Sequence, residues 1–164
     1  MGTYTNIVQG GASVYIGADL GYISDGVAIT PSYEMSYGKA EGINAHLTAR
    51  RPLTNWDVAF TLLEMTLENF IIAWNIKNSK VTGPPATLEF GGENFKPTEN
   101  TLIVYGYTPG ATSYARTVTI HRAVVSAPGE FKTSDADPSS LAVTMHGLYH
   151  VSNACVGIFS DAAS

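Results

Sequence analysis

The alternation of apolar and polar residues changes its period within residues 56–76, WDVAFTLLEMTLENFIIAWNI. Val58, Phe60 and Leu62 recur every second position, which places them on one face of a β-strand. Apolar residues then recur at i, i+3, i+4 and i+7, the spacing of one helix face. These residues are Leu67, Phe70, Ile71 and Trp74. The pattern predicts a strand that leads into a helix over about residues 66–76, and we expect those four side chains to form its docking core.

The sequence at the two ends of this predicted helix is typical of helix termini. Thr66 is a suitable N-cap, and Glu68 lies in the first turn, where the helix dipole favours a negative charge. Lys77 and Lys80 follow the last apolar residue. A helix of about ten residues is roughly 15 Å long and too short to be stable alone. We therefore expect it to pack against a sheet.

The remainder of the chain has the alternation and the turn signals of β-strands. Residues 12–38 predict short strands with breaks at Gly17 and at a turn over residues 24–26, followed by an alternating strand in which Pro31 indicates an edge or a bulge. Residues 101–108 and 114–126 predict an antiparallel hairpin, and residues 141–150 predict a last strand. Seven or eight strands with one helix predict a mainly β fold, an antiparallel β-sandwich or barrel with a flanking helix.

The second strand of that hairpin has an apolar face that the sequence predicts directly. Val118, Ile120 and Val124 lie at even spacing, so we expect them to face one way, with His121 facing the other.

A charged segment, residues 38–52, interrupts the β pattern. It holds a cluster of polar and ionisable residues and only two large aliphatic ones. The polar residues include Lys39, Glu41, Asn44, His46, Arg50 and Arg51. Because strands flank the segment, it is a long loop or an extended hairpin tip, and loops of this length in compact domains are usually functional or disordered.

The length of 164 residues predicts one domain over residues 1–164. Residues 1–11 are polar and end in Gly10–Gly11, which predicts a mobile or partner-docked N-terminal arm. Residues 151–164 are small and weakly patterned, and we expect them to form a C-terminal tail. No apolar run approaches the ~20 residues that span a bilayer, so we expect no membrane segment.

The charge content of the chain favours a surface covered by other subunits. Charged residues make up 14% of the sequence, whereas hydrophobic residues make up 45%. A typical globular chain is nearer one-quarter charged. The net charge of −5 argues against a protein that grips nucleic acid through its phosphates, but not against one that lets nucleic acid pass.

Catalytic and metal-binding patterns are weak in this sequence. His146 and His150 are four residues apart, but on a strand this spacing separates them by about 13 Å, too far to share an ion. Glu64 and Glu68 are better explained as residues near a helix start than as a catalytic pair. Cys155 is the single cysteine and cannot form an internal disulfide. We therefore expect no enzymatic activity, no cofactor and no metal.

The order of these segments resembles a known family. A strand SVYIG leads into LGYISDGVAITPSYE, a charged loop follows, and a strand then runs directly into a helix through LLEMTLENF, of which residues 62–70 are the most specific part. Over about residues 12–150 the chain resembles the major tail proteins, or tail tube proteins, of tailed bacteriophages.

This resemblance implies a structural function. Subunits of that family close into rings of six, and the rings stack into a tube through which DNA is ejected. Residues 38–52 would then be the loop that contacts the neighbouring ring. The implied partners are further copies of the chain, other tail proteins such as terminator, tape measure or sheath, and DNA that passes without specific binding. The implied location is the tail of the virion, assembled in the host cytoplasm.

Two alternatives remain open from the sequence. The chain is also compatible with the tube of a type VI secretion system or another contractile injection system. From a different class, its nine Tyr and two Trp residues are compatible with a monomeric carbohydrate-binding β-sandwich.

Overall fold

A computed structural model describes residues 12–38, 48–76, 81–82, 87–88, 96–107, 114–133 and 139–161 of the chain. Within these ranges lie eleven strands and one helix. In chain order they are β1 (Ala12–Ile16), β2 (Ala18–Asp19), β3 (Ile23–Gly38), β4 (Thr48–Leu62), α1 (Leu67–Ala73), β5 (Val81–Thr82), β6 (Thr87–Leu88), β7 (Asn100–Tyr107), β8 (Tyr114–Ala127), β9 (Phe131–Lys132), β10 (Ser140–Gly147) and β11 (Gly157–Asp161).

Nine of these strands form one antiparallel sheet that curls into a half-barrel. The strand order is β2-β1-β7-β8-β10-β4-β3, with β11 paired to β8 and β9 paired to β10. Among the described residues, the short strands β5 and β6 pair only with each other. This architecture confirms the predicted mainly β fold with a single flanking helix, and the half-barrel is the form that the expected sandwich or barrel takes.

The core lies on one face of the sheet. Val58, Phe60 and Leu62 of β4 are buried, as the alternation predicts. Their cross-strand partners on β10, Met145, Val143 and Leu141, are buried as well. Directly opposed residues of an antiparallel pair share a face of the sheet. Two alternating strands therefore contribute a continuous double row of apolar side chains to the core.

The helix α1 begins where the sequence predicts and ends earlier. The Thr66 hydroxyl accepts a hydrogen bond from the backbone N–H of Asn69 at 3.1 Å, and Glu68 occupies the first turn. The helix has seven residues and ends at Ala73, so it covers only the first part of residues 66–76. No basic residue occupies its last turn.

The face of α1 that docks on the sheet differs from the prediction. Asn69 and Ala73 are its buried residues. Phe70 and Trp74 pack against the core, as expected, but Leu67 and Ile71 are half-buried and are not among the side chains packed there. Hydrogen bonds of the buried Asn69 fix the rotation of the short helix, and periodicity alone does not contain this information.

The inward face of β8 shifts at a bulge. Val118 and Ile120 are buried as predicted, but Ala123 is the next buried residue, and Val124 is only half-buried. Leu102 on β7 pairs with Ile120, whereas Asn100 pairs with Ala123, so β8 contains one extra residue. A bulge of this kind reverses the phase of the alternation that follows it.

The predicted C-terminal tail contains a sheet strand. β11 pairs with β8 from Gly157↔Ile120 to Asp161↔Arg116. A Cβ atom on Gly157 would lie against the carbonyl oxygen of Thr119, so only glycine permits this close approach. Residues 157–161 of this segment form a strand because pairing with β8 orders a stretch that has little pattern of its own.

Candidate assembly surface

The β3–β4 hairpin extends beyond the body of the sheet. β10 pairs with β4 only as far as Gly147↔Trp56, whereas β3 and β4 continue to pair as far as Gly38↔Thr48. We call residues 31–38 of β3 and residues 48–56 of β4 the distal hairpin. No other strand in the described part of the chain pairs with it beyond Trp56. Eight strand residues span about 26 Å, so the distal hairpin is a substantial projection.

The distal hairpin carries an exposed row of large apolar side chains. Residues 30–38 are all exposed. Tyr33, Met35 and Tyr37 are exposed to 56%, 39% and 53%. Alternate residues of a strand lie on the same face, so these three form one row along β3. A contiguous apolar patch on a protein surface usually marks an interaction site.

A bulge in β4 lies beside this row. Glu34 pairs with Leu53 and Ser36 pairs with Arg50, so β4 contains one extra residue between these pairs. The bulged segment includes Pro52, whose missing N–H is tolerated at such a position. A bulge increases the local twist of a hairpin. The bulge therefore affects the direction in which the end of the distal hairpin points.

The connection between β3 and β4 is shorter than the loop predicted over residues 38–52. Gly38 ends β3, and β4 already begins at Thr48, so residues 39–47 connect the two strands. Arg50 and Arg51 lie in β4 and not in a loop. Strand pairing with β3 orders this part of the chain despite its lack of alternation. The remaining predicted site residues lie outside the described residues: Lys39, Glu41, Asn44 and His46.

The site predicted from the sequence does not include Tyr33, Met35 and Tyr37. The sequence nevertheless contains a pattern that could have identified them. Its alternation predicted a strand correctly. Pro31 indicated that this strand lies at an edge of the sheet, where one side has no neighbouring strand. The combination of large alternating apolar residues with an edge signal identifies an exposed apolar row.

The outer edge of β3 provides a second interaction surface. β3 ends the strand order, and within the described ranges it pairs only with β4. Exposed strand edges present backbone N–H and C=O groups to which another chain can add a strand. The body of the sheet and the distal hairpin therefore share one unpaired edge within the described ranges, the outer edge of β3.

The opposite end of β3 is acidic. Asp19 accepts a hydrogen bond from the backbone N–H of Gly21 at 3.0 Å, and Glu64 accepts one from Tyr22 at 3.3 Å. Both carboxylates line a cleft of about 500 Å³ next to β1. β3 starts at Ile23, and its 16 residues extend about 50 Å. Asp19 and Glu64 thus lie at one end of the subunit and the distal hairpin at the other.

His146 and Glu64, two candidates for metal binding or catalysis, have structural partners. His146 lies on β10, and its Nδ1 atom is 2.7 Å from the Asp57 carboxylate. Glu64 precedes the helix and binds the Tyr22 N–H. In the described residues, no group of three or more His, Cys, Asp or Glu side chains is placed to hold a metal. The same part of the chain contains no helix long and apolar enough to cross a membrane.

Comparison with known proteins gives a result at the level of the fold. No protein-family model matches the sequence, and no curated protein matches it. A chain of the PVC sheath-tube complex, from an extracellular contractile injection system in its extended state, superposes with a TM-score of 0.60 at 10% identity over 93% of this chain and 89% of that chain. A chain of the six-fold symmetrised anti-feeding prophage baseplate gives 0.60 at 10% identity over 98% of both chains.

A third solved structure extends this comparison. The tube terminating cap of the anti-feeding prophage gives a TM-score of 0.58 at 8% identity over 92% of this chain and 88% of that chain. The chain therefore has the fold of the tail-tube class found in phage-like contractile injection machines. This finding confirms the fold that the resemblance to tail tube proteins implies.

Proposed function

We propose that this chain is a structural subunit that assembles into stacked rings and forms a tail tube. The observation that carries the proposal is the distal hairpin. Its row of Tyr33, Met35 and Tyr37 is exposed, and the hairpin extends beyond the point where another strand of the described ranges pairs with it. Burial of such side chains against another subunit is favourable at about 25 cal/mol per Å².

The charges at the two ends of the subunit support head-to-tail stacking. Arg50 and Arg51 lie in the distal hairpin, and Asp19 and Glu64 lie at the opposite end of the subunit. Contacts between two different surfaces of identical subunits form open-ended assemblies. Opposite charges at the two ends favour one polarity of stacking. In this proposal the hairpin, together with Lys39, Glu41, Asn44 and His46 at its connection, contacts the acidic end of a subunit in the next ring.

The open edge of β3 supports lateral closure of the ring. Strand addition by a neighbour would satisfy its backbone groups, and ring closure leaves no free edge. A ring of six fits the six-fold symmetry of one structural neighbour. A net charge of −5 keeps the wall from holding DNA during ejection, because like charges repel.

Other tail components complete the proposed assembly. The neighbours include a sheath-tube complex and a tube terminating cap, which supports sheath and terminator proteins as partners. A tape measure protein inside the tube, assembly in the host cytoplasm and a final location in the virion tail belong to the same proposal. In this proposal the subunit has a structural function and no catalytic one.

Electron microscopy of the purified protein tests this function. We expect the unmodified chain to form rings and tubes at high concentration. The variant Tyr33→Ser/Met35→Ser/Tyr37→Ser should keep its circular dichroism spectrum but form no stacked tubes. Tyr149→Ser/Val151→Ser removes side chains that are 57% and 78% exposed outside the hairpin, so it is the matched control and should form tubes normally.

The possible results separate the competing functions. Only monomers at every concentration, together with saturable binding to a glycan array, would support the carbohydrate-binding alternative and reject the tube. Equal tube formation by the hairpin variant would reject the distal hairpin as the stacking surface. Tubes that shorten as salt increases would support a contribution from the charged ends.

A further inference from the structure

An apolar groove opens at one end of the half-barrel. Its volume is about 400 Å³, and we call it the mouth groove. The buried side chains of Val104 and Val118 form its floor, and the half-buried Val27 and Ile29 line it from β3. Phe159 of β11 lies at its margin and is 55% exposed. The mouth groove thus presents apolar side chains that the subunit buries only in part.

The length of the mouth groove matches the length of the exposed row on the distal hairpin. Ala12 of β1 pairs with Gly106 of β7. Gly106 pairs with Arg116 of β8, which pairs with Asp161 of β11. Neighbouring strands lie about 4.8 Å apart, so this series of four strands spans about 14 Å. The row on the distal hairpin covers four residue steps along β3, about 13 Å.

The rim of the mouth groove and the distal hairpin carry net charges of opposite sign. Asp25 is an exposed acidic residue at the rim. Arg116 also lines the groove, but its Nε atom is 2.6 Å from the carboxylate of Asp161, which neutralises it. The rim is therefore acidic. The distal hairpin contains two arginines and one glutamate, so it is basic. Complementary charges steer two surfaces into one orientation.

The position of the mouth groove suits a contact with another copy of the chain. The described residues that line the groove do not include Tyr33, Met35 or Tyr37, and these side chains are 56%, 39% and 53% exposed. The groove adjoins the acidic cleft, because Ala12 lines both. A head-to-tail contact at the acidic cleft therefore brings the distal hairpin of a second copy to the groove.

We infer that the mouth groove receives the row of Tyr33, Met35 and Tyr37 from the distal hairpin of a second copy of this chain. The inference rests on the proposed function, and it names the surface that accepts the hairpin. Apolar side chains of both copies leave water together, which favours the contact. Because the two surfaces differ, the same contact can repeat from one copy to the next.

Cross-linking between isotope-labelled copies tests the inference. A ¹⁵N-labelled variant, Met35→Cys/Cys155→Ser, carries its thiol in the distal hairpin. It is mixed with the ¹⁴N variant Phe159→Cys/Cys155→Ser, which carries its thiol at the groove, and a short bismaleimide is added. Ile158→Cys/Cys155→Ser is the matched control, because Ile158 is 47% exposed and lies on the other face of the same strand. Mass spectrometry measures the cross-links of mixed isotope composition.

We expect the Phe159 variant to give several-fold more mixed cross-links than the Ile158 variant. Equal yields from the two variants, or no cross-link to residue 159, would overturn the inference. If that result came from protein that forms tubes, the proposed function would stand and only the receiving surface would be wrong. Selective cross-links in protein that stops at dimers would support the groove as the receiving surface and reject the tube.

A second measurement needs no cysteine substitution. In the unmodified protein, hydrogen exchange around Val27 and Ile29 should slow several-fold when the concentration rises from monomeric to assembled protein, because the hairpin of another copy covers the groove. The variant with serine at the three positions of the row should lose this concentration dependence, and Tyr149→Ser/Val151→Ser should keep it. Equal protection in both variants would contradict the inference.

Discussion

The side-chain amide of Asn69 donates a hydrogen bond to the backbone carbonyl of Leu20, 49 residues away in the sequence, at a distance of 3.0 Å. The same amide donates to the carbonyl of Glu64 at 2.8 Å. Asn69 is 4% exposed and is the buried polar residue within the described ranges. One amide therefore joins the first turn of α1 to the chain between β2 and β3 and sets which face of the helix meets the core.

Replacement of Asn69 tests this relationship. Asn69→Leu should lower the free energy of unfolding by about 1–3 kcal/mol, because the buried Leu20 carbonyl and the partly buried Glu64 carbonyl lose their donor. Urea denaturation measures the change, and Asn153→Ala, an exposed asparagine, is the control. A loss below that of the control would show that the two hydrogen bonds do not fix the helix.

Phe70 and Leu67 of α1 should differ in their contribution to stability, because Phe70 packs against the core and Leu67 does not. Phe70 is half-buried, with ring centroids 4.9 Å from Trp74 and 5.2 Å from Phe131. Phe70→Ala should cost roughly 2 kcal/mol, less than a fully buried phenylalanine. Leu67→Ala should cost about 1 kcal/mol or less, because Leu67 does not pack against the core. The reverse order in thermal unfolding would support the face that periodicity predicted.

An ion pair between Glu99 and Arg122 makes stability dependent on pH. The hydrogen bond from Arg122, at 2.8 Å, lowers the pKa of Glu99 below its ordinary value of 4.5. In acid the unfolded chain thus takes up this proton before the folded chain does. The stabilisation is present above pH 4.5 and is lost as the pH falls through the lower folded-state pKa.

Urea unfolding of Glu99→Gln at several pH values measures this effect. The variant should be less stable than the unmodified chain near neutral pH, and the difference should shrink below pH 4.5. Glu130→Gln is the control, because Glu130 and its partner Lys132 are 73% and 67% exposed and such pairs contribute little. A difference that is constant with pH would contradict the assigned pKa direction.

The strand in the C-terminal segment depends on the small size of Gly157. A Cβ atom at this position would lie 2.9 Å from Cδ1 of Ile120. Gly157→Val should displace β11, raise the exchange rates of its amides and cost about 1–3 kcal/mol. Ser160→Ala changes an exposed residue of the same strand and should alter stability by less than about 0.5 kcal/mol. Normal protection of β11 in the valine variant would show that the close approach is not required.

Local signals in the sequence were sufficient to predict several elements of the fold. The period of two at Val58, Phe60 and Leu62 placed these residues in the core, because one face of a strand meets the interior at every second position. Thr66 and Glu68 marked the start of the helix, because unsatisfied backbone N–H groups and the helix dipole require such residues there. The order of these elements was also sufficient to indicate the tail-tube fold.

Other features depend on contacts between residues that are distant in the sequence. The rotation of α1 follows from the contact between Asn69 and Leu20, the shift of the inward face of β8 follows from its register with β7, and β11 exists because β8 accepts it as a neighbour. The projection of the distal hairpin likewise follows from where β10 stops pairing with β4. A contact between residues far apart in sequence leaves no periodic signal in either segment, so the three-dimensional arrangement alone specifies it.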